Sequence, residues 1–371
     1  MSDATSMTDR QRQSTAAEFS IAYSVYLDRD GTVPGGLPAF ARSPEQLVPL
    51  YRAMVLTRLF DEKAVALQRT GRLGTYASSL GQEAVGVGVA SAMQTDDVLI
   101  PSFREQSAML WRGVTMTELL LYWGGDERGS DFEVPRQDFP IAVPVASQFP
   151  HAVGVALAMQ LRREPRVAVT VGGDGATSKG DFYEAINMAG VWKAPVVFVV
   201  ANNQWAISVP RAAQSAALTL AQKAIAAGIP GEQVDGNDVI AVRDAAERAI
   251  AQARGGHGPS VIEAVTYRLS DHTTADDARR YRSAEEVSPH WKDEPIARLR
   301  TYLVSKGIWA KEAERELIET CRAEIERAVE AYTAMSSPEP ADMFAHLYAE
   351  PPAALAGQQA LLSEDDGYGH A

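Results

Sequence analysis

The sequence predicts a doubly wound α/β fold: a mostly parallel sheet with helices on both faces. Three observations carry this. Residues 167–171 (Val-Ala-Val-Thr-Val) and 196–201 (Val-Val-Phe-Val-Val-Ala) are uninterrupted apolar runs, the pattern of strands buried on both faces. Residues 178–192 between them carry helical spacing, so strand, helix and strand form one βαβ unit with a right-handed crossover. The alternation then continues, with helices over 215–227 and 238–254 and a strand over 260–268.

In chain order, residues 1–20 read as a polar leader. Ile21, Tyr23, Val25 and Leu27 alternate with smaller or more polar residues and run into Asp30-Gly31, an extended ribbon ending in a turn. A long helix follows over 47–70, with Ser43 as N-cap, Pro44 in the first turn, Gln46 as capping-box partner and Gly71 past its end. Residues 81–93 form a second helix, 98–101 a short apolar strand, and 115–123 a helix capped by Thr115. Residues 126–144 are polar and irregular, a length of loop that is usually functional or covered by a partner. Helix 149–163 leads into the βαβ unit, whose first strand ends in the tight turn 172–175 and whose second ends at Asn202-Asn203. Residues 232–236 are an unassigned segment within the alternation. After a polar loop (269–282), residues 284–306 and 311–333 are amphipathic helices, and the chain from Ser336 is rich in Pro and Ala. The organisation expected is an extended arm (1–45), an α/β domain (46–283), C-terminal helices (284–335) and a tail (336–371).

Composition excludes several classes. The 371 residues are 46% hydrophobic and 22% charged, which supplies a core and rules out an acidic disordered polymer. A net charge of −13 argues against a nucleic-acid-binding surface. Cys321 is the only cysteine, so neither an intrachain disulfide nor a cysteine metal cluster is possible. No apolar run approaches the ~20 residues of a membrane-spanning helix. The start of the chain lacks a secretory h-region, and a cytoplasmic protein is expected.

The chemistry lies at the strand ends. Gly173-Asp174-Gly175 and Asn202-Asn203 each follow a buried strand, and one helix joins those strands. Ligands of open parallel sheets bind outside the carboxyl ends of strands. There Asp174 and Asn203 make an oxygen-rich half-site of the kind Mg²⁺ shares with phosphates and water. The glycines allow close approach of a diphosphate, and the following helix offers N–H donors. Either motif alone is an ordinary turn; the pair at this spacing reverses that balance. Neither Gly-x-Gly-x-x-Gly after a strand nor a Gly-Lys-Ser/Thr loop occurs, which counts against a nicotinamide-dependent oxidoreductase on the same fold class. A non-catalytic scaffold is the other rival.

These motifs resemble the thiamine-diphosphate signature. The wider text from Gly173 to Asn187 (Gly-Asp-Gly-Ala-Thr-Ser-Lys-Gly-Asp-Phe-Tyr-Glu-Ala-Ile-Asn) is similar to the alpha subunits of 2-oxo acid dehydrogenases, most like those of bacterial pyruvate dehydrogenase. The branched-chain 2-oxo acid enzymes are a near second and acetoin dehydrogenase a further alternative. The likeness runs from about residue 20 to 350. It implies oxidative decarboxylation of pyruvate, with the acetyl group passing to the lipoyl group of a dihydrolipoamide acyltransferase. Residue by residue, it implies that Asp174, the Asn203 side chain and the Trp205 carbonyl bind Mg²⁺, and that Gly175 and Ala176 offer backbone groups to the diphosphate. Arg104 reaches the diphosphate as a bidentate donor, beside Phe103, which stands where relatives carry Tyr. The backbone of Val143 and Val145 holds the aminopyrimidine ring. His272 touches the diphosphate and faces the active-site entrance, as the catalytic residue of this chain, and Tyr76 lies on the substrate side. Thr273 stands where animal relatives carry a regulatory phosphoserine. No glutamate with a matching motif and no second doubly wound domain is present, so a beta subunit is expected to supply that acid in an α2β2 heterotetramer. The loop 269–282 is expected to be weakly supported and to order with cofactor and Mg²⁺. The remaining histidines (151, 257, 290, 346 and 370) carry no assignment.

Overall fold

The computed structural model describes residues 15–364, apart from Pro340 and His346. Most of the expected leader (1–14), His346 and His370 therefore lie outside the described residues. In chain order the strands are β1 (Ala22–Ser24), β2 (Val98–Ile100), β3 (Ala168–Gly173), β4 (Val196–Asn202), β5 (Trp205–Ala206), β6 (Val209–Pro210), β7 (Gly231–Asp235) and β8 (Ser260–Val265). Six of them build one sheet in the spatial order β1-β7-β8-β4-β3-β2, and every neighbouring pair is parallel. β5 and β6 form a separate antiparallel ribbon.

The continuous apolar runs have the expected cause. Val169, Val171, Val197 and Val199 enter one core, with Phe60, Val85, Ala245 and Val329 from the helices on that side. The alternate residues Ala168, Val196, Phe198 and Val200 enter a second core on the opposite face, with Phe149, Ala152, Phe182 and Ile186. A strand buried on both sides has no polar face to show. A third cluster joins Leu27 and Leu50 to Leu299 and Leu317, so the chain's beginning and its C-terminal helices share one core. Among the described residues, no helix is long and apolar enough to cross a membrane.

Several local expectations hold. Thr115 caps helix Met116–Gly124 in a reciprocal capping box: Glu118 N donates to Thr115 Oγ1 (3.2 Å) and Thr115 N donates to Glu118 Oε2 (2.7 Å). The helix expected over 238–254 runs Val239–Arg254; its cap, Asp238, accepts from Ile240 N at 2.9 Å.

Others are corrected. Ser43 does not cap the long helix Val48–Arg69. Its hydroxyl bonds Glu45 Oε2 (2.6 Å), and Pro44–Leu47 forms a 3₁₀ turn first. Residues 215–227 are mostly not helical, only Lys223–Ala226 being so, because the N–H groups of Leu220 and Ala221 donate to the buried Glu263 carboxylate instead (2.7 and 2.9 Å). The expected helix 284–306 is broken into Ala284–Val287, a 3₁₀ stretch Ser288–Asp293 and Pro295–Ser305, whose first turn Glu294 caps. Helix Gln106–Arg112 and strand β7 were not expected.

Candidate active site

β8, β4, β3 and β2 are consecutive in the sheet, so the loops leaving their carboxyl ends meet. They deliver Arg268 and His272 after β8, Asn203 after β4, Asp174 after β3, and Phe103 and Arg104 after β2. A cleft of about 650 Å³ lies among them. Its walls include Phe103, Arg104, Val143, Val145, Asp174, Gly175, Ala176, Asn203, Trp205 and His272. Tyr76 is placed otherwise. Its neighbours Thr75 and Ala77 line the cleft, but its own side chain is fully buried behind the wall and donates to Asp61 Oδ1 at 3.1 Å. A more open hollow of about 820 Å³ beside β1 and β7 shares only Trp205 with this set, and its Arg298 is already paired with Asp235 at 2.7 Å.

One end of the cleft is rich in oxygen acceptors. Asp174 is 1% exposed, and its Oδ2 has no hydrogen-bond partner among the described residues. Burial raises its carboxyl to about 6; its own and Asn203's backbone N–H groups and the charges of Arg268 and Arg104 pull the other way. Asn203 Oδ1 accepts from Trp205 N (3.2 Å) and keeps a lone pair. The Trp205 carbonyl accepts from Arg268 Nη1 (3.2 Å) and likewise has a second lone pair. One carboxylate, one amide oxygen and one carbonyl suit a hard divalent cation that retains water or phosphate oxygens. Among the described residues no group of three or more His, Cys, Asp or Glu competes as a metal centre. At Gly175 a Cβ would sit 2.8 Å from Ala206 Cβ, so the turn admits no side chain there. The two asparagines divide their work: Asn202 Nδ2 donates to Glu263 Oε1 (2.7 Å), on the structural side of the strand.

The other wall is cationic. Arg104 and Arg268 are buried, and among the described residues neither forms an ion pair with a carboxylate. Arg104 Nη1 donates to the Ser78 carbonyl, and Nη2 to the His272 carbonyl at 2.8 Å. Burial, then repulsion from Arg268, lowers Arg104 to about 10, so it keeps its charge at neutral pH. Both guanidinium groups face His272 Nδ1, at 3.2 Å from Arg104 Nη2 and 3.4 Å from Arg268 Nη1. Guanidinium only donates, so Nδ1 accepts and the ring proton sits on Nε2. Burial and the two arginines push His272 down to about 4, which agrees with a neutral ring. Arg104, on the cleft wall, marks a place for an anion; Arg268 lies behind the wall and adds its charge.

The loop 269–282 is better supported than expected. Arg282 donates to the carbonyls of Arg268 and Ser270, Asp276 accepts from His272 N (3.0 Å) and from the Tyr281 hydroxyl, and Thr274 N donates to the Tyr76 carbonyl (2.9 Å). Three non-glycine residues on or beside the cleft hold left-handed backbone: Ala146 (φ 74°), Gln204 (φ 71°) and the β-branched Ile207 (φ 56°). Such conformations are costly and collect at functional sites. Sequence reading missed Gln82, Gln148 and Arg268. Each is a buried polar side chain whose partners are remote in sequence; an arginine closing the apolar run 260–267 was the one available signal.

Comparison with known proteins decides the family. The model of the dehydrogenase E1 component family matches residues 51–341. The chain belongs to the dehydrogenase E1 component family. The pyruvate dehydrogenase E1 component subunit alpha of Staphylococcus aureus (strain Mu50) is 40% identical over 341 residues, 92% of each chain. Its counterpart from Staphylococcus epidermidis is 39% identical over the same length and coverage. Membership of the E1 component family makes this chain part of a 2-oxo acid dehydrogenase and implies dependence on thiamine diphosphate and work alongside other subunits.

Proposed function

We propose that the chain is the alpha subunit of a cytoplasmic pyruvate dehydrogenase (acetyl-transferring). In this reading it holds the diphosphate end of thiamine diphosphate through Mg²⁺, and it works with a beta subunit in an α2β2 assembly. The acetyl group passes to a lipoyl-bearing acyltransferase. The observation that carries the reading is the pairing, across one cleft, of an acceptor cluster that wants a cation with the buried Arg104, backed by the charge of Arg268 behind the wall, that wants an anion. A metal-bridged diphosphate satisfies both.

Asp174, Asn203 Oδ1 and the Trp205 carbonyl would hold the cation. The backbone of Gly175 and Ala176, the Arg104 guanidinium and His272 Nε2–H would donate to the diphosphate. When bound, thiamine diphosphate supplies a ring that accepts the electron pair left as carbon dioxide departs from a 2-oxo acid. The backbone of Val143 and Val145 would hold its aminopyrimidine. The two valines are 55% and 50% exposed at the lip of the cleft, apolar surface that suits cover by a partner subunit. Phe103 packs edge-on to the His272 ring at 5.8 Å and offers no hydroxyl where a tyrosine would. His272, a donor at neutral pH, orients an anion and does not act as base. Tyr76 would act only through the wall it supports. The one glutamate on the cleft wall among the described residues, Glu105, is tied to Ser102 Oγ (2.5 Å) and Arg104 N (3.2 Å). The acid that activates the coenzyme would therefore come from the beta subunit.

The test is a substrate panel. Release of carbon dioxide from pyruvate, branched-chain 2-oxo acids and acetoin cleavage are measured with this chain alone and with its beta subunit. No turnover alone, and preference for pyruvate in the pair, is expected. Robust turnover by the isolated chain would defeat the split site, and preference for a branched substrate would defeat the assignment to pyruvate.

A further inference from the structure

Gln82 precedes helix Glu83–Ala92, is 6% exposed and lines the same cleft as Asp174 and Asn203. Its two amide atoms are in unequal positions. Oε1 accepts from Asn203 Nδ2 at 3.2 Å. Nε2 is buried and has no acceptor among the described residues. A buried amide nitrogen without a partner calls for one, and at a cleft wall a bound ligand can supply it. The two amides thus form a relay of fixed polarity. Because Gln82 Oε1 occupies Asn203 Nδ2, the Asn203 oxygen is turned the other way, where it meets Trp205 N and retains a lone pair. One end of the pair presents an N–H donor and the other a C=O acceptor.

We propose that Gln82 is a cofactor-binding residue: Nε2 donates to an oxygen of the bound diphosphate, while Oε1 holds the Asn203 amide with its oxygen toward the cation. The proposal rests on the thiamine diphosphate reading above and adds a residue to it. An anion suits the open end because Arg104 lines the same cleft and forms no carboxylate ion pair. A carbonyl acceptor from a substrate would satisfy the valence of Nε2 as well, but it would leave the donor far weaker than one paired with a charged oxygen.

The experiment is calorimetric titration of thiamine diphosphate, with Mg²⁺ present, into the complex of this chain with its beta subunit. Wild type, Gln82→Met and Gln82→Glu are compared. Gln82→Met removes donor and acceptor at similar length, and weakens the Kd roughly ten- to a hundredfold, the span of one hydrogen bond to a charged group. Gln82→Glu keeps an acceptor for Asn203 Nδ2, removes the donor and sets a negative charge beside the diphosphate; its Kd weakens at least as much. A Kd within twofold of wild type for Gln82→Glu overturns the proposal, as does one within twofold for Gln82→Met. Should the methionine variant fail to assemble, the near-isosteric glutamate variant carries the test alone. Wild type that takes up no thiamine diphosphate refutes the underlying reading instead, so the two failures are separable.

Discussion

Asp174→Asn separates stability from function at one atom. In the folded chain the Asp174 carboxylate is almost wholly buried and its Oδ2 is unpartnered. Burial lifts its pKa from 3.8 to about 6. The folded state therefore binds this proton more tightly than the unfolded chain does. Stability falls as pH rises from about 4 to about 6, and the whole deficit is present above that. Roughly two units at ~1.4 kcal/mol each give a cost of about 3 kcal/mol in the cofactor-free protein at pH 8. Asparagine has the same shape without the charge. Its amide needs a partner of its own, which offsets part of the gain, so a stabilisation of roughly 1–3 kcal/mol is expected at pH 8. The gain should shrink toward zero near pH 4.

The assay is urea unfolding of cofactor-free wild type and Asp174→Asn across that pH range, followed by calorimetry with thiamine diphosphate and Mg²⁺. The variant should be the more stable protein when empty and should lose Mg²⁺-dependent binding. An Asp174→Asn protein that is less stable than wild type at pH 8, by a margin independent of pH, would refute the reasoning. It would mean the carboxylate is held by the fold and is not waiting for a ligand.

Three further outcomes are expected. Arg104→Lys cannot reach both the Ser78 and His272 carbonyls with one point charge, so thiamine diphosphate affinity by calorimetry should fall about tenfold or more, since lysine is no substitute for a forked donor. The lowered pKa of His272 means the folded chain resists a proton the unfolded chain accepts; stability should decline as pH falls from about 6.5 to about 4, and His272→Gln should flatten that limb in urea melts. Thr115→Ala removes the hydroxyl of the Thr115–Glu118 capping box and should cost ~1 kcal/mol in the same melts while leaving cofactor affinity unchanged, because the cap lies outside the cleft.

The parts of the molecule legible from sequence are those where neighbours in the chain decide the outcome. β3 and β4 could be read because burial on both faces forces every position to be apolar, and their turns because glycine and asparagine announce themselves. The misreadings have the opposite character. Residues 215–227 are rich in alanine and look helical, yet Glu263, some forty positions away, takes the N–H groups the helix would have used. Helix Gln106–Arg112 begins with Gln106 and Ser107 fully buried, so it shows no amphipathic stripe to find. Tyr76 was expected on the substrate side, but its hydroxyl is taken up by Asp61 behind the wall.

The same division runs through the candidate site. Asp174, Asn203 and Arg104 sit in short motifs and were visible. Gln82, Arg268 and Gln148 gain their meaning only when four strand ends are brought to one edge: Gln148 Nε2 is held by the Val171 carbonyl (3.1 Å), leaving its Oε1 unpartnered, and Arg268 is held by the carbonyls of Trp205 and Ile207 (3.2 and 2.8 Å). On the proposed reading, a ligand with both a cation and an anion would supply partners for the cleft atoms left without one, Asp174 Oδ2 and Gln82 Nε2 among them. Each orphan costs the empty fold stability, and a fold tolerates that cost where binding removes it. Filling the cleft should therefore raise stability by more than its apolar area alone accounts for. Cofactor and Mg²⁺ together should protect the chain against urea by the mass-action value from their measured Kd; protection below it would mean that the unfolded chain binds them too.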